Sequence, residues 1–308
     1  MEGESDQATK EAKSDRDNNT DNGESWQRDE QAYQTGLVQN TDLPDRQGVE
    51  ISRVQATAVH FEFADPVMDI VMISVVDALR LLKRGETAET VFGDALVIVT
   101  TTVPDHVLER WYPQKEIRLV KDFQPDFYIP CDRPVYRKDT KAERRDKITR
   151  YLRDLKEIAN AIESAPTEII PLVKGILPRE RARCYQCFEE LDFDRIGYYC
   201  AQYFLYGNRG KELIRDVRQI AQEAQPTGML LVGLQARSYL RKMPPEVIAV
   251  AGQRWISESG LRDADYSMRD AQRQYLDWST QVERDLAGGQ TRLRMFNRIK
   301  TTGEIYGN

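Results

Sequence analysis

The sequence predicts an α/β fold, a (β/α)8 barrel of the TIM type, with an acidic, disordered N-terminal tail ahead of it. Three observations predict it. Short apolar runs alternate with helix-patterned segments along most of the chain, the cadence of a parallel sheet covered by helices. Seven runs have the aliphatic, β-branched character of strands buried on both faces, with room for an eighth. No glycine-rich dinucleotide fingerprint or phosphate loop follows any of them, which leaves the open doubly wound sheet in second place.

Taken in order, residues 1–48 are dominated by Glu, Asp, Ser, Asn, Gln and Gly, with few aliphatic residues. They bury too little apolar surface to offset the entropy of ordering, so they read as a disordered, solubilising tail. Residues 49–308 read as a single barrel domain. Its first strand run is Val67–Val76, leading into a helix that begins at Asp77 and stops at Gly85. Asp94–Thr102 is the next strand; Pro104 and a helix over Asp105–Trp111 follow. Asp126–Cys131 is a third strand, ending in Asp132, Arg133 and Pro134. Residues 138–163 form the longest helical pattern, with Ile148, Leu152, Leu155, Ile158 and Ile162 on one stripe. Glu168–Gly175, Asp194–Cys200, Gly228–Gly233 and Val247–Gly252 complete the strands. Helices over Pro178–Leu191 and Lys211–Glu223 separate the earlier of these, and from Asp263 onward the chain is mostly helical.

Composition narrows the function classes. The 308 residues, 40% hydrophobic and 31% charged, suit one soluble domain with an appendage. No apolar run approaches bilayer-spanning length and the N-terminus lacks a secretory signal, so a cytoplasmic protein without a membrane partner is expected. Residues 1–50 carry 13 acidic and 5 basic residues, which leaves the remainder with 37 and 39. A slightly basic body behind an acidic tail is compatible with a polyanionic partner. Cys184-Tyr-Gln-Cys187 has zinc-ligand spacing, but only His60 and His106 exist and neither stands in a matching position, so the pair reads as two small residues on one helix and no metal is expected.

In such a barrel the residues just after each strand build the active site. Here they are Asp77, Thr101 to Asp105, Asp132 with Arg133, Lys174, Gln202 with Tyr203, Gly233 with Gln235, and Gln253 with Arg254. This set can hold a planar heterocycle by its hydrogen-bonding edges while a carboxylate does covalent or acid–base work. Asp77 and Asp105 also stand where a helix N-cap is expected, and capping alone would explain either. Lys174 can equally reach solvent, and Gln202 and Gln253 can satisfy backbone groups. Asp132 is followed by Arg133 and Pro134 and lies too far ahead of the long helix to cap it, so it is the leading catalytic or binding candidate.

The order strand–Asp132-x-Pro134, long basic helix, Pro171-Leu-Val-Lys-Gly175, Gly197-Tyr-Tyr-Cys-Ala-Gln202 and Leu230-Leu-Val-Gly233 resembles the tRNA-guanine transglycosylase superfamily, over roughly residues 94 to 260. Pro125-Asp-Phe-Tyr-Ile-Pro130 and Gly252-Gln-Arg-Trp255 are more similar to the branch that inserts 7-deazaguanines into DNA. The resemblance implies replacement of guanine in DNA or tRNA by a 7-deazaguanine through a carboxylate-dependent double displacement, without a cofactor. It implies that Asp132 reads the base and that Lys174, Gln202, Tyr203, Gly233 and Gln253 line the substrate site. The attacking carboxylate would then be Asp77 or Asp105. Phosphate contacts would come from Arg133 and Arg137 after the strand and from Arg292, Arg294 and Arg298 near the C-terminus, each otherwise a solvated helix face. The chain departs from the family pattern in four places. The zinc-binding cysteine cluster is absent, Thr101-Thr102-Val103 stands where Asp-Ser-Gly-Gly would, Lys174 replaces a glutamine, and Gln253 lies near the expected nucleophile. Two rival expectations are a non-catalytic paralogue that binds nucleic acid or a base, and an unrelated small-molecule lyase or hydrolase on the same barrel. A homodimer is compatible with the sequence and not required by it.

Overall fold

Eight strands alternate with helices: β1 Val49–Arg53, β2 Ile70–Ser74, β3 Leu96–Thr100, β4 Phe127–Ile129, β5 Glu168–Ile169, β6 Arg195–Tyr199, β7 Gly228–Val232 and β8 Val247–Gly252. In this computed structural model the described residues are 48–287, apart from 206 and 264. The expected tail, up to residue 47, and Arg292, Arg294 and Arg298 lie outside them. All strand pairings are parallel, in the order β5-β4-β3-β2-β1-β8-β7-β6. The ring closes between β5 and β6, where Leu172 bridges Gly197. There the Val173 N–H donates to the Gly197 carbonyl at 2.9 Å and the Gly197 N–H to the Pro171 carbonyl at 2.8 Å. The fold is the eight-stranded parallel α/β barrel that the sequence predicts.

The helices are α1 Ala58–Ala64, α2 Val75–Leu82, α3 Ala88–Phe92, α4 Asp105–Leu108, α5 Pro113–Phe123, α6 Lys141–Ile162, α7 Pro178–Glu190, α8 Gly210–Ala224, α9 Arg237–Leu240, α10 Trp255–Glu258 and α11 Met268–Ala287. No described helix is long and apolar enough to cross a membrane. β2, β3, β7 and β8 are buried along nearly their whole length, as strands packed on both faces must be. α6 starts at Thr140 in a capping box: the Glu143 N–H donates to Thr140 Oγ1 at 3.2 Å, and the Thr140 N–H to the Glu143 carboxylate at 2.6 Å. Its buried stripe runs through Ile148, Tyr151, Leu155, Ile158 and Ile162, with Tyr151 where Leu152 was expected. α7 and α8 are joined by a bidentate pair in which the buried Arg181 donates twice to Glu223 at 2.8 Å.

Several elements differ from the sequence expectation: α1, α3, α9 and α10 were not expected, the helix expected from Asp77 begins at Val75, and the strand expected over Glu168–Gly175 shortens to Glu168–Ile169. The helix from Asp105 ends at Leu108, and a second one, α5, follows it. The eighth strand is β1, which the run of apolar segments does not include. Only Val49 and Ile51 in it are aliphatic, while Glu50 and Ser52 face the other side. There Glu50 accepts from Tyr275 of α11 at 2.8 Å, from Ser52 of its own strand at 3.2 Å and from Gln235 in the loop after β7. Cys131, Cys184, Cys187 and Cys200 are all buried free thiols, and burial pushes each above the ordinary thiol range, Cys184 to about 12.

Burial also pushes the Glu50 carboxyl up from 4.5 to about 8, against the lowering effect of the Tyr275 and Ser52 donors. Between those two values the folded chain holds a proton that the unfolded chain has lost, so this group makes stability fall as pH rises. Glu50→Gln should therefore flatten the fall of melting temperature between pH 4.5 and about 8, with the largest gain over the parent at the alkaline end. Melting curves across that range check it; an unchanged slope would show that Glu50 is ionised in the fold.

Candidate active site at the barrel mouth

The chain leaves β4 through a sharp turn that aims Asp132 inward. Cys131 sits at φ +43°, a left-handed conformation unfavourable for a residue with a Cβ. Hydrogen bonds on both sides hold it there. The Cys131 N–H donates to Glu116 at 2.9 Å, and the Asp132 N–H donates to Thr101 Oγ1 at 2.8 Å. Thr101 in turn donates to the Ile129 carbonyl at 3.0 Å. Glu116, buried on α5, also accepts from the Tyr128 hydroxyl at 2.7 Å, and burial pushes it up to about 7.

Lys174 arrives from the neighbouring strand end. Its ammonium donates to Asp132 Oδ1, and both side chains are buried. The same ammonium lies 5.6 Å from the centre of the Tyr151 ring. Gly175 follows at φ +118°, where a Cβ would stand 2.8 Å from that of Glu180, so only glycine lets the chain turn away here. With Oδ1 taken by Lys174, Asp132 Oδ2 makes no hydrogen bond among the described residues and is not sealed from solvent.

These groups border a cavity of about 510 Å³ over the C-terminal ends of the strands. Asp105, Asp132, Lys174, Gln202 and Gln253 all line it. Asp105 is exposed at its rim, and the Tyr136 hydroxyl lies 2.9 Å from both of its oxygens. Gln202 reaches the Tyr199 carbonyl at 3.5 Å, whereas Gln253 is exposed. Gly233 borders an adjoining depression of about 540 Å³ that shares Gln253 with the first; at φ +87° it turns the chain after β7.

Other candidates stand apart. Asp77 lies off the cavity in the first turn of α2, where it accepts from Ser74 Oγ at 2.6 Å, from the Ala56 N–H at 3.3 Å and from Arg80 at 3.0 Å. Its contacts are those of a helix's first turn, and it is not among the residues that line the cavity. Tyr203 is turned back by the short 3-10 segment Ala201–Tyr203, so that its hydroxyl lies 2.6 Å from that of Tyr198 and donates to Asp216 at 2.5 Å. It does not line the cavity. Arg133 donates to Asp154 at 3.0 Å, and Arg137 lies 2.8 Å from Glu212 and 3.5 Å from Asp216, so each has a carboxylate partner in the fold. Cys184 and Cys187 lie buried on α7, and no group of three His, Cys, Asp or Glu side chains converges as a metal site among the described residues.

Several of the cavity residues were not foreseen. Tyr136 and Tyr199 supply the aromatic surface in place of Tyr203, and Arg53 closes the side opposite β4 and β5. The signal for Arg53 was its place at the end of the valine–isoleucine alternation of β1. A scan against protein-family models returns no match, and a comparison with curated proteins finds no relative.

Removing one partner of the buried pair would strand a charge. Lys174→Met should destabilise the fold by about 3–5 kcal/mol, while adding Asp132→Asn to it should recover much of that loss. Chemical denaturation of the two single variants and the double variant reads the coupling; strict additivity would mean the pair is not held in solution.

Proposed function

We propose that this barrel is a base-exchange transglycosylase that replaces guanine in nucleic acid, and DNA in particular, with a 7-deazaguanine. The observation that carries the proposal is a nucleoside-sized cavity bordered by two carboxylates with different partners. Asp132 has one oxygen fixed by Lys174 and the other without a partner, which suits it to accept from the N1–H and N2–H donors of a guanine edge. Asp105 carries no cation, only the Tyr136 hydroxyl, which leaves it the better attacking group. The resemblance of the strand ends to the guanine transglycosylases supports the same reading.

In this mechanism the target nucleotide leaves its stack and its base enters the cavity beside Tyr136 and Tyr199. An Asp105 oxygen bonds to C1′ as the bond from C1′ to N9 breaks, and guanine departs with the electron pair and takes up a proton at N9. An incoming deazaguanine loses its N9 proton to solvent and bonds to C1′, which frees Asp105. Two displacements keep the anomeric configuration, as in retaining glycosidases.

A second reading is favoured by Gln253, an amide exposed on the cavity near where the family resemblance calls for a nucleophile. On that reading the protein binds a base or nucleic acid without exchange. Incorporation of labelled guanine into DNA and into tRNA separates the two. Exchange is expected with DNA, reduced roughly 10³-fold or more in both Asp105→Asn and Asp132→Asn. Full activity of Asp105→Asn would remove it as the nucleophile. Binding without any incorporation by the parent protein would establish the second reading.

A further inference from the structure

We propose that Arg53 is the receptor for an oxyanion in the central cavity, the phosphate group of the nucleotide whose base Asp132 reads. The inference rests on the nucleotide reading of the cavity, and its test separates the two.

Arg53 ends β1 and lines the cavity with its guanidinium half-buried. Its one hydrogen bond runs from an Nη2–H to the Thr102 carbonyl at 2.9 Å. A guanidinium has five N–H donors in a planar fork, so most of this one's capacity is unused. Among the described residues no carboxylate comes within ion-pair distance of it, and Asp77 acts on it only from farther away. Of the two acids on the cavity, Asp132 pairs with Lys174 and Asp105 accepts from the Tyr136 hydroxyl, and neither bonds Arg53. Three other arginines with little exposure are each paired with a carboxylate: Arg144 with Glu180 at 2.9 Å, Arg181 with Glu223 at 2.8 Å and Arg195 with Glu168 at 2.7 Å. An unpaired guanidinium aimed into a cavity is costly to keep unless something else completes it.

Arg53 is also held in place. The buried Trp255 donates its indole N–H to the Arg53 carbonyl at 3.0 Å, and Thr102 fixes the far end of the side chain. A fork already immobilised loses little further entropy when it binds, which favours a two-oxygen anion over a neutral group. The cavity carries a neutral pair, Asp132–Lys174, at the β4 and β5 tips, the carboxylate of Asp105 after β3, and the guanidinium of Arg53 at the β1 tip. That polarity matches a nucleotide whose base and phosphate lie at opposite ends.

Calorimetry with the full chain decides it, using deoxyguanosine, deoxyguanosine 5′-monophosphate and inorganic pyrophosphate as probes. The monophosphate should bind about tenfold or more tightly than the nucleoside. In Arg53→Gln that advantage should disappear while the affinity for deoxyguanosine stays unchanged, and Arg53→Lys should keep part of it. Pyrophosphate that binds the parent but not Arg53→Gln, with no binding of deoxyguanosine, would keep the anion site and discard the guanine reading. Equal binding of nucleoside and monophosphate by the parent, an undiminished preference in a folded Arg53→Gln, or binding of none of the three probes would overturn the proposal. The parent comparison stands even if Arg53→Gln does not fold.

Discussion

The barrel mouth depends on closure between β5 and β6. β5 is two residues long, and the ring closes because Pro171, Leu172 and Val173 run on beyond it to pair with Gly197. Gly197 is what permits that approach, since a Cβ there would stand 2.9 Å from the Leu172 side chain. The residue after the seam is Lys174, so the pairing that completes the sheet also delivers the ammonium to Asp132. Closure and charge placement are one event. A chain that failed to pair at this point would lose both the last rung of the sheet and the counter-ion of its most buried mouth carboxylate.

Much of this was legible in the sequence because parallel strands buried on both faces must be apolar along their length, and seven were. β1 was not legible, and its polarity has a local cause. Glu50 and Ser52 meet Tyr275 and Gln235 through hydrogen bonds instead of apolar contact, while Arg53 belongs to the cavity. One strand thus escaped notice for the reason that makes it informative. The site divided similarly. Asp132, Lys174, Gln202 and Gln253 follow strands closely enough for the barrel rule to place them at the cavity. Asp77 was readable as a cap, but the cap is Ser74, and Asp77 stands in the helix's first turn with its carboxylate bonded to Ser74. Tyr203 and Tyr199 differ in fate because the turn at Ala201 reverses the chain between them, a local geometry that no periodicity announces.

The charges around the mouth are arranged by type of partner. Asp132 is matched by a cation, Asp105 by a hydroxyl and Arg53 by a backbone carbonyl. A buried ion pair contributes little net stability, because desolvation offsets much of the attraction. Its value here is geometric: it fixes one carboxylate oxygen and leaves the other available. The left-handed Cys131 beside it is held by two side chains on α5 and the loop after β3, so the aspartate's position is set by groups that do not themselves line the same wall.

The four buried cysteines have a practical consequence. None presents a thiolate to solvent while the barrel is intact, since each is enclosed and its proton is held more tightly than usual. The native chain is therefore a silent background for maleimide chemistry. A single cysteine introduced at the exposed Leu205, on the cavity rim, would carry a fluorophore alone and report ligand entry, while slow labelling of the native four would time the opening of the barrel itself.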